Sequence, residues 1–370
     1  MLRQGPLREG TFSSPLHEPR TAVVLGRWLG AALLLCFLSG LLSHLLQEPP
    51  DWLERYLPSR PANGYRITQG LHVIAGIAAI PLLGAKLWTV YPKLFEWPPV
   101  RSVAHALERL GIAVLVAATL LELFTGLLNT LQWYPWPFPF RQTHFWLGWT
   151  AVGGLLLHIA VKAPQIGANW WRSQAAVPGR RAFLASVTVA TAAVTVTTAG
   201  QSVPWLRWSD LLAPRRPDIG SLGLPVNRTA AQAGTTVVPA DWRLTVAGPR
   251  PYQLSLAELQ ALPQHTARLP IACVEGWSAS AEWTGVRIRD LLDRAGAPSD
   301  ALVRVVSLEA EGPYAVTELP APYARDGLTL LALMVNGQPL NADHGYPARL
   351  IAPNRPGVLQ TKWVSRLEVQ

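Results

Sequence analysis

Apolar residues follow two different rhythms along this chain. In the first 200 residues they form five long runs, approximately 22–46, 67–88, 110–131, 145–161 and 183–199. Each is long enough to cross a bilayer as a helix, and short polar loops separate them. The last run, rich in Ala, Val and Thr, is the least apolar. Beyond residue 220 the runs shorten to DWRLTVAG, TARLPIACVEG, ALVRVVSLEA, LTLLALMVNG, PARLIAP and KWVSRLEV, bounded by Gly, Pro or Asn-Gly. Such short Val-, Ile-, Leu- and Thr-containing runs are the pattern of strands. Two helical stretches interrupt them. SLAELQAL opens on Ser255 with Glu258 at capping-box spacing, and VRIRDLLDRAGAP stops at Gly296 and Pro298. The pattern predicts a membrane α-helical bundle of five transmembrane helices over 1–200. A linker without apolar period follows over 201–220, then an α+β domain over 221–370 large enough for its own core.

Charge sharpens this division. Only 15% of the residues are charged, and the net charge is +9. Residues 1–200 hold 16 Lys and Arg against 8 Asp and Glu, and the remainder hold 16 against 15, so the excess lies in the apolar half. A nucleic-acid surface needs its cations clustered on a soluble domain, so no nucleic-acid partner is expected. The cations instead read as topology. With the N-terminus cytoplasmic, the inner side carries Arg3, Arg8, Arg20, Arg27, Lys86, Lys93, Arg101, Arg109, Lys162, Arg172, Arg180 and Arg181, against Arg55, Arg60, Arg66 and Arg141 outside. An odd number of spans then places the C-terminal domain on the extracytoplasmic side of the cell membrane, with membrane lipid as a partner. Arg180-Arg181 before Phe183-Leu184 and a moderately apolar stretch resembles a twin-arginine export signal, and two adjacent arginines also serve as a plain topological anchor.

Five histidines, His44, His72, His105, His144 and His158, lie in or at the ends of the apolar runs. An ionisable side chain there is costly and requires a reason, of which haem iron is the foremost. His144 and His158 are 14 residues apart, about 21 Å of helix rise and about 40° short of four turns, so they face nearly one way. His72 is level with His144, and His105 is the near partner for His158. The arrangement resembles the b-type cytochrome membrane subunits of formate dehydrogenases and nickel-iron hydrogenases, which implies one or two b haems exchanging electrons with quinone. The chain departs from them at Arg27-Trp28, where a histidine often precedes the tryptophan.

Cys273 is one of two cysteines. Cys36 lies inside the first apolar run, so no disulfide joins them, and no zinc-type spacing surrounds Cys273. An inert buried thiol and a soft metal ligand are the two readings of such a residue. CVEGWSASAEWTGVRIRDLL resembles the segment bearing the molybdenum-ligating cysteine in the sulfite oxidase superfamily. It resembles more closely the Cys-Val-Glu-x-Trp-Ser form found in periplasmic protein-methionine-sulfoxide reductase catalytic subunits. DHGYPARLIAPNRPGVLQTKW follows the same family's second motif, and LPVNRTA resembles its loop at the cofactor. The resemblance implies a sulfite-oxidase-like molybdopterin-binding domain in which Cys273 ligates molybdenum. It further implies that Asn227, Arg228, His344, Arg349 and Lys362 hold the pyranopterin and its phosphate. Guanidinium and ammonium donors suit such an anion.

Sulfite oxidases place arginines shortly after the cysteine, whereas Val, Glu, Gly, Trp and Ser follow here. An S-oxide or N-oxide beside Trp277 is therefore the expected substrate. Oxidation of sulfite or another sulfur compound is the enzymatic alternative, and a non-catalytic haem and pterin redox sensor is the alternative of another class. Trp283 reads as core, and Glu275 either caps a turn or bonds a ligand.

Overall fold

The computed structural model describes residues 13–96, 98–170, 177–213 and 219–370. Arg3, Arg8 and Arg172, which entered the charge count, lie outside the described residues, as do 214–218 of the expected linker. The chain divides into two compact units, 1–39 with 71–199 and 209–214, and 40–70 with 200–208 and 215–370.

The bodies of α1 (Pro19–Gln47), α3 (Gly64–Val90), α4 (Val103–Thr130), α5 (Phe140–Trp170) and α6 (Arg180–Ala199) form the first unit, and α2 (Asp51–Glu54) is a single turn belonging to the second. The five long helices are each long and apolar enough to cross a bilayer, which fits a multi-pass membrane protein. They outrun the apolar segments by several residues where the hydrogen-bond ladder continues into polar sequence. Leu25 and Leu29 of α1 bury against Ala79, Leu82 and Leu83 of α3 and Val187 of α6. Leu34, Leu35, Leu38 and Leu42 of α1 stay about half exposed, as lipid-facing positions do. Thr119 and Thr125 return their hydroxyls to the carbonyls of Leu115 and Leu121, so neither leaves a polar group unpaired. Arg180 pairs with Glu18 at 3.2 Å, so the first of the two adjacent arginines also ties α6 to the start of α1.

The second unit carries a mixed-sheet domain. β1 (Arg243–Ala247), β2 (Tyr252–Ser255), β5 (Val303–Ser307), β6 (Val316–Leu319) and β10 (Val364–Val369) make one sheet in the order β2-β1-β10-β5-β6. Within it β1 and β10 run parallel and the remaining pairs antiparallel. β3 (His265–Ala272), β4 (Ser278–Arg287), β7 (Leu330–Val335) and β8 (Gln338–Pro339) make the other, with β9 (Arg349–Ile351) also paired to β7. Short helices α7 (Ala230–Ala233), α8 (Leu256–Ala261), α9 (Ile288–Arg294) and α10 (Ala321–Ala324) fill the connections. The capping box read from the sequence forms as drawn, with Ser255 and Glu258 bonding each other's backbone amides at the start of α8.

Two cores flank the second sheet. Leu331 and Leu333 of β7 face a core with Leu244, Val246, Leu291, Val305 and Leu367. The alternate residues Leu330 and Ala332 face a core with Leu269, Ile271, Ala281 and Trp283. A strand buried on both faces reads as a continuous apolar run, which is why LTLLALMV has no alternation. β4 escaped the sequence reading for the opposite reason: its buried face is built from Ala279, Ala281 and Trp283, and its small residues carry little strand signal.

Candidate active site

Period-two geometry aims the Cys273 side chain. Ala267, Leu269 and Ile271 of β3 point into the second core, and Cys273 continues that face one step past the strand. The chain then turns back at once into β4. Cys273 N–H donates to Trp277 O at 2.9 Å, Gly276 N–H to Cys273 O at 3.0 Å, and Gly276 takes φ +95°, a left-handed conformation that suits glycine. Trp277 Nε1 donates to Glu275 Oε2 at 3.1 Å, so this carboxylate serves the turn's own aromatic ring. Cys273 is 1% exposed, and burial first, with Glu275 second, pushes its thiol well above the usual range. A bare thiol here stays protonated; only a strong electrophile such as a metal ion would hold it as thiolate.

The sulfur opens on a cavity of about 120 Å³ lined by Asn227, Arg228, Trp277, Glu309, Arg349, Gln360 and Lys362 among others. Asn227 Nδ2 donates to Cys273 Sγ at 2.6 Å. Arg228 pairs with Glu309 at 2.6 Å. Lys362 Nζ donates to Arg228 O at 2.9 Å and Asp343 O at 2.7 Å. Burial, then the neighbouring Arg349, pulls Lys362 down to about 7. Arg349 stacks over the Trp283 ring at 5.5 Å and donates to His344 O at 3.4 Å. Burial lowers it to about 10. His344 stands behind this wall rather than in it: its Nε2–H donates to Ser221 O at 2.6 Å, and burial and then Arg349 bring it down to about 4, so the ring is neutral at pH 7. Five of the six residues read as cofactor contacts or metal ligand thus converge on one cavity, and His344 supports it from outside. Glu309 and Gln360 were not singled out in the sequence. Glu309 lies between β5 and β6 in SLEAEGP, a stretch with no distinguishing spacing.

Residues 231–370 match the family described as oxidoreductase molybdopterin binding domain. Relatives include the uncharacterized oxidoreductase YuiH of Bacillus subtilis, 34% identical over 34% of this chain and 64% of its own length. The provisionally named protein-methionine-sulfoxide reductase subunit YedZ1 of Azospira oryzae is 35% identical over 35% of this chain and 49% of its own length. Mitochondrial sulfite oxidase of Drosophila melanogaster is 31% identical over 35% of this chain and 27% of its own length. Over these residues the C-terminal domain is similar to molybdopterin-binding domains, sulfite oxidases among them. The chain spans between about a quarter and two thirds of the length of these relatives.

This domain has the donor and acceptor set that a molybdopterin group would need. Asn227 Oδ1, Arg228 Nε, Arg349 Nε and Gln360 Oε1 are all buried and without a hydrogen-bond partner, and all belong to residues lining the cavity. Buried polar atoms are ordinarily satisfied, so four orphans around one cavity beside the Cys273 sulfur, two donors and two acceptors, fit a polar occupant that both accepts and donates.

In the helical unit His72 and His144 meet, with ring centroids 6.0 Å apart and planes at 89°. Two metal–imidazole bonds of about 2 Å, with the ring radii added, require about the same separation. Nδ1 of His72 lies 2.8 Å from Cys36 O, and Nδ1 of His144 lies 3.2 Å from Thr125 Oγ1, so a metal between the two rings would be met by Nε2 of each. His144 Nε2 sits 3.2 Å from Glu122 Oε2. His105 sits in the first turn of α4: its ring Nδ1 accepts from Arg101 N–H, and its backbone N–H donates to the N-cap Ser102 Oγ. Among the described residues no ring contact joins His105 to His158; both lie in the field of Glu108, which pairs with Lys162.

Proposed function

We propose that this chain is a membrane-anchored molybdenum–pterin oxidoreductase that draws electrons from quinol through b haem and reduces an S-oxide or N-oxide. The cluster of orphaned buried donors and acceptors around Cys273, in a domain of the molybdopterin family, carries the reading. When bound, the molybdenum–pterin group supplies two-electron oxygen-atom transfer. Cys273 is its protein ligand, and Asn227 donates to that sulfur and tempers its charge. Arg228, Arg349 and Lys362 neutralise the pterin phosphate, with His344 holding Arg349 in place. All three cations of the cavity wall are then engaged by the cofactor, and none is left to gather a sulfite dianion; the indole of Trp277 flanks the reacting sulfoxide instead. The balance is simple: the S–O bond breaks, two electrons and two protons enter, the oxygen leaves as water, and quinol becomes quinone.

His72 and His144 are the proposed haem ligands. The molybdopterin domain lies outside the cytoplasm in this reading, as the distribution of basic residues favours. Elemental analysis of detergent-purified protein should give one molybdenum per chain, lost in Cys273→Ser with the haem spectrum unchanged. Methionine sulfoxide should oxidise pre-reduced haem. Molybdenum and turnover retained in Cys273→Ser would overturn the assignment, and haem reduction by sulfite would reverse the direction of electron flow.

A further inference from the structure

The turn that carries Cys273 touches the cavity on one side only. On its other side lie two segments distant in sequence, the first turns of α3 and the residues that follow α6, which belong to the same compact unit as the molybdopterin domain. Gln69 Nε2 donates to Val274 O at 2.9 Å. Ser202 Oγ donates to Gly276 O, which the left-handed backbone of Gly276 turns toward it. Ser278 N–H donates to Gln201 O at 2.7 Å and Ser278 Oγ to Ser202 O at 3.2 Å. Arg66 reaches Ser280 Oγ at 3.1 Å. Gln69 and Ser202 are 8% and 6% exposed, so these bonds are shielded from competing water.

We infer that Gln69 and Ser202 are positioning residues for the metal-ligating turn, fixing the Cys273 sulfur through the carbonyls of Val274 and Gly276. The physical case rests on what the turn lacks. Between β3 and β4 the ladder ends at Ala272 and Ser278, and the five residues between them hold each other by the two backbone bonds of a tight turn. The carbonyls of Val274 and Gly276 accept from Gln69 and Ser202, and removing those donors takes two bonds from the turn. Each donor removes one rotation of the turn about its strand ends, so the sulfur has one direction left. A glutamine and a serine suit the task because both are neutral donors, and neither adds charge beside a site already rich in cations.

The inference rests on Cys273 as the molybdenum ligand for its meaning, but its test reads the thiol itself. Full-length protein made in a host lacking molybdopterin is treated with a maleimide, and labelling of Cys273 is followed by peptide mass spectrometry with Cys36 as internal control. Gln69→Leu/Ser202→Ala should label Cys273 at least about tenfold faster than the parent, because the turn opens locally. Ser202→Thr, which keeps the hydroxyl, should label as slowly as the parent. Ser59→Ala removes a different bond from the same chain segment, Ser59 Oγ to Asp326 Oδ2 at 2.8 Å, and should leave Cys273 protected. Where the double variant does not fold, Gln69→Leu alone carries the comparison. In cofactor-loaded protein the molybdenum reduction potential should shift in Gln69→Leu and not in Ser59→Ala. Unchanged labelling in the Gln69 and Ser202 variants, or an equal rise in Ser59→Ala, would overturn the inference. Absence of molybdenum from the loaded parent would defeat the functional reading while leaving the labelling result to stand.

Discussion

Arg349→Met should make the cofactor-free protein more stable and the cofactor-loaded protein less so. Arg349 is 4% exposed, has an unpartnered Nε, and makes one long hydrogen bond to His344 O. Burial draws its pKa from 12.5 to about 10, which corresponds to a charge-burial cost of about 3 kcal/mol. Methionine fills a similar volume without the charge. Against that gain stand the stacking on Trp283 and the bond at 3.4 Å, together worth about 1 kcal/mol. The desolvation effect therefore wins, by about 1–2 kcal/mol, or roughly 2–8 °C in the melting temperature of a domain of this size. Thermal unfolding of full-length protein from a host lacking molybdopterin reads the first half, and molybdenum content after expression in a competent host reads the second, where Arg349→Met should retain little. A cofactor-free variant less stable than its parent by 1 kcal/mol or more would show that the guanidinium is part of the domain's framework, and the argument that it awaits an anion would be wrong.

Lys362 gives a pH signature. Folded it loses its proton near pH 7 and unfolded near 10.5, so between those values the unfolded chain binds the extra proton and cofactor-free stability rises with pH. Urea midpoints at pH 6 and 9 should show the rise, and Lys362→Met should flatten it. Gly285→Ala should disrupt the β4–β7 pairing, because a Cβ there collides with the backbone of Leu331 and Ala332; loss of about 3 kcal/mol or more, or failure to accumulate, is expected from expression and melting assays. His72→Ala and His144→Ala should each abolish the reduced-minus-oxidised haem band, whereas His105→Ala should keep it, since that ring bonds Arg101 N–H just ahead of α4.

Local signals in the sequence were dependable where one residue answers to its near neighbours. The five apolar runs, the Ser255–Glu258 box and the stop at Gly296, which takes φ +70°, all appear in the structure where the pattern places them. Cys273, Asn227, Arg228, Arg349 and Lys362 were legible as a set because two motifs and a short loop carry them. What stayed hidden depends on partners far along the chain. β4 is a strand because Ala279, Ala281 and Trp283 fit between β3 and β7, and no alternation of its own announces it. Gln360 looks like any loop glutamine until its unpaired oxygen is found at the cavity wall. Residues 201 and 202 read as the start of a linker, yet they are buried and bond the cysteine turn. His105 and His158 illustrate the reverse: their shared inner side suggested a pair, and among the described residues no ring contact joins them, His105 instead bonding Arg101 N–H.

β10 has a consequence for how the chain is made. It is the middle strand of the first sheet, joined on one side to β1, more than a hundred residues earlier, and on the other to β5. A ribosome releases β1 with β2, and later β5 with β6, as two hairpins whose inner edges have nothing to pair with until Val364–Val369 appears. Arg349 and Lys362 come out just before it. Most of the domain is thus synthesised as an incomplete sheet with two sticky edges, a period in which a chaperone has something to shield and self-association has its opening. A deletion of Val364–Val369 would take away the sheet's centre rather than its margin.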